Sequence, residues 1–117
     1  MWRSLKRRLW LARLKRPEFA YLAEPYDGDE LVSLDCETTG LDPRKAEILS
    51  VGAIRIKGDR ILTSQRLELL VKPQGGISDV LIKVHHLRPV DVERGLDIEE
   101  AMRRVMEFLG PRPLVGY

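Results

Sequence analysis

Leu31-Val32-Ser33-Leu34-Asp35-Cys36-Glu37-Thr38-Thr39-Gly40-Leu41 is an apolar run that ends in two carboxylates and a Thr-Thr-Gly turn. Read as a strand over Leu31–Cys36 that runs on into Glu37, it puts Asp35 and Glu37 on one face, roughly 6.5 Å apart along the chain. That spacing lets one carboxylate bridge a pair of divalent cations while its neighbour holds one of them. The ions of a two-metal phosphoryl-transfer site lie about 4 Å apart and ask little more of a first strand. Cys36, between the two acids, points to the opposite face and reads as a small buried apolar side chain.

Downstream, Glu47–Lys57 contains Ile48, Leu49, Val51, Ala53, Ile54 and Ile56 and reads as a second, largely buried strand. Lys57-Gly58-Asp59-Arg60 is a tight-turn signal, and Ile61–Lys72 pairs back as a third strand. Pro73 and Gly75-Gly76 close this meander. Asp97 with Glu100 forms a capping box, and Gly110-Pro111 supplies a stop. Between them Ile98, Ala101, Met102, Val105 and Leu109 recur on one helical face. Pro113-Leu-Val-Gly-Tyr117 opens a fourth strand. The order βββ-α-β argues an α/β domain whose first three strands are antiparallel.

Upstream, the charge is sharply divided. Residues 1–16 carry seven basic side chains (Arg3, Lys6, Arg7, Arg8, Arg13, Lys15 and Arg16) and no acid. The other 101 residues carry 13 basic and 18 acidic groups, so the formal net charge of +2 conceals a basic arm on an acidic body. Such an arm points to a polyanion or an anionic surface. As a helix it places Trp2, Leu5, Leu9 and Ala12 on one face, with Arg16 inside that arc and Arg13 beside it, an untidy stripe for a lipid-surface helix. The plain alternative is a solvated helix resting on its own domain. Basic residues interrupt any secretory core, and a mitochondrial-type presequence would lack the usual serines. Residues 1–17 thus read as a basic helical arm, 18–30 as an acidic connector, and 31–117 as the domain.

Cys36 is the only cysteine among 117 residues, so an internal disulfide and a cysteine-based zinc cluster are both excluded. The expected compartment is the reducing cytoplasm. No apolar stretch approaches the roughly 20 residues of a membrane-spanning helix.

An Asp-x-Glu-Thr-Thr-Gly string should arise by chance in a chain this long on the order of once in ten thousand. With its strand context, the sequence resembles the DEDD-type 3′–5′ exonucleases, the DnaQ-like superfamily of polymerase proofreading subunits, ribonuclease T and oligoribonuclease. Leu31–Leu41 matches their first motif. Asp42–Ile56 is similar to the family's "DPxxDxIIEIGAVxV", with Ser50 in place of a common Glu. Ile82–Val92 is similar to "IxxHGITPEDV", with His86 where Gly is usual. Leu114–Tyr117 resembles the lead-in to the second motif, "LVAHNAxFD". The resemblance covers residues 31–117 and leaves the arm out.

The resemblance implies a ribonuclease H-like fold, here its N-terminal part, and a pair of Mg²⁺ or Mn²⁺ ions. It implies that Asp35 bridges both metals, that Glu37 binds the one that activates water, and that Thr38 and Thr39 receive the terminal nucleotide. The resemblance also sets His85 near that nucleotide, whereas a His-His pair beside a turn reads equally as a helix-start or surface feature. Nucleic acid with a free 3′ end is the implied substrate, and a DNA polymerase subunit the implied partner. The family needs four carboxylates and a His or Tyr base, and the second-motif aspartate is expected beyond Tyr117. The 117-residue polypeptide is therefore expected to be an incomplete domain with little nuclease activity alone, prone to self-association through an exposed sheet edge. The competing reading is a non-catalytic module that uses the basic arm on nucleic acid or docks on a polymerase.

Overall fold

The computed structural model describes residues 2–75, 91 and 93–116. Three antiparallel strands form the frame: β1 (Glu30–Thr38), β2 (Ile48–Lys57) and β3 (Arg60–Leu70). Each strand lies within two residues of its expected bounds. The β2–β3 hairpin closes through Gly58 and Asp59, with Lys57 opposite Arg60. Gly58 sits at φ 60°, a conformation that glycine adopts without steric cost.

Helix α2 (Ile98–Leu109) follows, and the two-residue β4 (Leu114–Val115) returns parallel to β1, giving the order β3-β2-β1-β4. The Asp97 half of the capping box forms: its carboxylate accepts the Glu100 N–H at 2.9 Å, while the Glu100 carboxylate accepts from Arg104 at 3.1 Å, and Gly110 at φ 54° ends the helix. The chain is pinned where it enters α2. The Leu96 N–H donates to the Leu70 carbonyl at 2.9 Å, and the Lys72 N–H donates to the Leu96 carbonyl at 2.8 Å. Gly95 is required beside this bridge, because a Cβ there would stand 2.8 Å from the Val71 carbonyl carbon.

Cross-strand register places Leu34 with Ala53 and Leu67, and Cys36 with Val51 and Leu69. These residues face α2, where Val51, Leu69 and Val71 meet Ala101 and Val105 in the main core cluster. The other face of the sheet carries Ser33, Asp35 and Glu37. Period-two alternation has divided one strand between the core and an open surface.

Arg55 contributes a contact that periodicity does not announce. Its guanidinium lies 4.5 Å from the Phe108 ring centroid and donates to the Phe108 carbonyl at 3.1 Å. A cation at a helix C-terminus is favoured by the exposed carbonyls there.

The N-terminal segment is more structured than a bare connector. Helix α1 spans Trp2–Arg13, and a 3-10 helix follows at Pro17–Ala23. The helix stops short of Pro17 because proline disfavours helical dihedrals in the residue before it, and Arg16 takes φ −121°, ψ 89°. Arg16 then bridges Glu18 at 2.9 Å and Glu99 of α2 at 3.2 Å. Tyr21 lies beside Glu107, and burial followed by that charge raises its hydroxyl pKa. Glu99, Arg103 and Glu107 form a line roughly 140° around α2 from its apolar face. The 3-10 helix therefore occupies the side of α2 turned away from the sheet, and α1 packs outside it through the Arg7 Nε donation to the Ala23 carbonyl at 2.7 Å.

Candidate metal and nucleotide site

Asp35 and Glu37 stand exposed at the C-terminal end of β1, on the face away from α2. Asp35 pairs with Gly52 of β2, and Gly52 with Glu68 of β3. A Cβ on Gly52 would find open space on every side, so the missing side chain leaves a bare strip between the two acids. A depression of about 300 Å³ lies here, lined by Ser33, Asp35, Gly52, Ile54, Arg66 and Glu68. One Asp35 oxygen accepts the Cys36 N–H at 3.0 Å. Cys36 itself packs against the core, and burial, then the Asp35 and Glu37 charges, push its thiol pKa up.

A bulge between Glu37 and Thr38 ends the regular pairing at the second carboxylate. Bulges of this kind re-aim side chains and terminate ladders at strand ends. Beyond it, the Thr38 hydroxyl donates to the Gly40 carbonyl at 2.8 Å. The Thr39 N–H donates to the Glu47 carbonyl, and the Glu47 N–H donates to the Thr39 hydroxyl oxygen, each at 2.9 Å. Leu41, just past the turn, is fully exposed.

Glu47 is the residue that the motif reading missed. Its carboxylate accepts the N–H groups of Gln74 at 2.8 Å and Gly75 at 2.9 Å. One side chain thereby ties the segment after β3 to the rung that closes the Thr-Thr-Gly turn. A glutamate at the start of a strand carries no local signal for this, because its partners lie 27 and 28 residues away.

The structure brings Asp35, Glu37, Thr38 and Thr39 together at one end of the sheet. His85 lies outside the described residues. The hard carboxylate oxygens of Asp35 and Glu37, side by side and open to solvent, suit a Mg²⁺-class cation. Among the described residues, no group of three or more His, Cys, Asp or Glu side chains is close enough to hold a metal. The basic arm lies across the sheet from the carboxylates, with α2 and the 3-10 helix between. Among its cations, Arg7 bonds to Ala23, Arg16 to Glu18 and Glu99, and Lys6 lies over the Trp2 ring.

Comparison with known proteins agrees with this topology. An exonuclease family model, of the ribonuclease T type, matches residues 32–117. A PolC-type DNA polymerase III of Thermotoga maritima is 34% identical over 86 residues, covering 74% of this chain and 6% of the polymerase. The DNA polymerase III epsilon subunit of Aquifex aeolicus is 29% identical, covering 74% of this chain and 42% of the subunit. The chain thus spans well under two thirds of these relatives. Exonuclease I of Methylocaldum szegediense superposes with a TM-score of 0.64 at 24% identity, over 75% of this chain and 20% of the enzyme. With that likeness confined to the shared fold, the sequence match over residues 32–117 decides the assignment. The chain belongs to the DEDD-type, DnaQ-like exonuclease family, and holds the N-terminal part of its ribonuclease H-like domain, with the opening Asp35-x-Glu37 motif on β1.

Proposed function

We propose that residues 31–117 supply the first two metal ligands of a 3′–5′ exonuclease acting on nucleic acid with a free 3′ end. The observation that carries this reading is the placement of Asp35 and Glu37. They sit side by side on the open face of the sheet, at a strand end that runs directly into the Thr38-Thr39-Gly40 turn. Asp35 and Glu37 would hold one or both of a pair of Mg²⁺ or Mn²⁺ ions. When bound, such ions lower the pKa of a water and neutralise charge on a departing 3′-oxygen.

The chain's own residues account for positioning. The Thr38–Thr39 turn, fixed by its bonds to Gly40 and Glu47, would present a rigid edge to the terminal nucleotide. Leu41, fully exposed just past the turn, offers an apolar surface that contact with a base would cover. The family resemblance would set His85 near the same nucleotide. A DNA polymerase subunit is the partner suggested by the PolC and epsilon relatives. The edge strand β4, with Leu114 and Val115 both exposed, is the surface available for self-association.

The test is an oligonucleotide labelled at its 5′ end, incubated with Mg²⁺ and the protein as expressed from its own gene. With the domain's remaining two carboxylates and base supplied, a ladder shortening from the 3′ end is expected, with Asp35→Ala slowing it by at least about a hundredfold, whereas residues 1–117 alone should degrade little. Equal rates for wild type and Asp35→Ala would dismiss the assignment.

A further inference from the structure

We propose that α1 docks on an anionic lipid surface, lying in the plane of the interface with Trp2, Leu5 and Leu9 inserted. A helix that rests on its own protein normally turns its apolar ridge inward. Here the ridge faces away. Arg7 bonds to Ala23, and Arg7 and Trp10 line a groove with Leu22 and Ala23, so this side of α1 meets the body, with Lys6 at the groove's margin. Stepping round the helix from there, Ala12, Leu5, Leu9 and Trp2 occupy an arc of roughly 80° on the opposite side. Trp2 is 70% exposed, Leu5 51%, Leu9 52% and Trp10 43%, whereas Leu11 and Leu14 are partly buried.

The charges frame this ridge. Arg8 lies about 40° beyond Ala12 on one flank, and Arg13 and Lys6 lie about 20° and 40° beyond Trp2 on the other. The Lys6 ammonium sits 5.3 Å from the Trp2 ring centroid. α1 has no acidic residue. Long basic side chains beside an apolar ridge can place their stems along the acyl boundary and their charges among anionic headgroups.

The sequence alone set Arg16 within the apolar arc, which counted against such a helix. The structure removes that objection, because α1 ends at Arg13 and Arg16 turns to Glu18 and Glu99. Charge alone also suited nucleic acid as the partner of Arg3, Lys6, Arg7, Arg8, Arg13, Lys15 and Arg16. A nucleic-acid contact would leave Leu5 and Leu9 in water, and α1 stands across the sheet from Asp35 and Glu37. A strand threaded to those carboxylates would not pass along it. Twelve residues with few anchors give reversible, salt-sensitive attachment rather than permanent insertion.

The test is co-sedimentation of the chain, with tryptophan emission, on vesicles of phosphatidylcholine alone and of equal parts phosphatidylcholine and phosphatidylglycerol. Binding to the anionic vesicles with a blue shift is expected, at least about tenfold tighter than to the neutral ones. The double variant Leu5→Glu, Leu9→Glu should weaken that binding by at least about tenfold. Both leucines lie outside the domain core, so its thermal unfolding should be unchanged, which separates lost docking from lost folding. Absence of vesicle binding, or vesicle binding that the double variant leaves intact, would overturn the proposal. Tighter binding to a single-stranded oligonucleotide, unaffected by the double variant, would assign the arm to nucleic acid instead.

Discussion

On the side of the sheet turned to α2, Val51, Leu69 and Val71 meet Ala101 and Val105, and water is excluded. On the other side Ser33, Asp35, Gly52 and Glu68 border an open depression. The same three strands build both surfaces, and on β1 the assignment changes with every residue. Cys36 packs inward while Asp35 and Glu37, its neighbours, stand in solvent. The contrast shows how the family affords a cluster of acids on a small sheet: the fold's stability is drawn from one face, which leaves the other free for charge. Like charges gathered on a covered face would suffer desolvation as well as mutual repulsion.

This division can be broken most severely from inside. Leu49 is fully buried at the site end of β2. Leu49→Ala is expected to cost about 2–5 kcal/mol in denaturant unfolding, the range for a leucine truncated in a packed interior. An exposed-face substitution such as Asp35→Asn should move the midpoint little. Similar losses for both would mean that the open face also carries the fold.

A smaller effect is expected where the two ends of the meander are tied. Glu47→Ala removes two carboxylate–amide bonds, to Gln74 and Gly75, and should cost about 1–3 kcal/mol. The bonds between Thr39 and the Glu47 backbone survive that change. Hydrogen exchange should therefore quicken at the Gln74 and Gly75 amides and stay slow at Thr39. Uniform acceleration at all three would indicate that the turn depends on the carboxylate directly.

The mildest probe is chemical. Burial first, and the Asp35 and Glu37 charges second, raise the Cys36 thiol pKa, so less of it is thiolate near pH 8 than in a free cysteine. Iodoacetamide should label the folded chain more slowly than the denatured chain, and the gap should narrow as the pH rises. Faster labelling of the folded chain would place Cys36 on the wrong face.

Much of this division was legible in the sequence. The alternation through Leu31–Glu37, the Gly58 turn and the Asp97 cap are local signals, and their elements formed within two residues of the expected bounds. What escaped the reading depends on distant partners. Arg55 finds Phe108 across 53 residues, Arg16 finds Glu99 across 83, and Glu47 finds Gln74 across 27. None of these pairs shares a periodic pattern. The acidic run after Pro17 read as a connector because its anchors, Arg16 and Tyr21, act only once α2 stands beside them. The orientation of the arm was equally hidden, since a helical wheel shows which residues share a face and not which face meets the body.

The most direct measurement is Mn²⁺ binding followed by electron paramagnetic resonance on the chain itself. Wild type should deplete the free-ion signal at millimolar or lower Mn²⁺, and Asp35→Asn with Glu37→Gln should abolish that depletion while leaving the circular dichroism spectrum unchanged. Undiminished Mn²⁺ binding by the doubly substituted chain would contradict the assignment of these two carboxylates as the metal ligands.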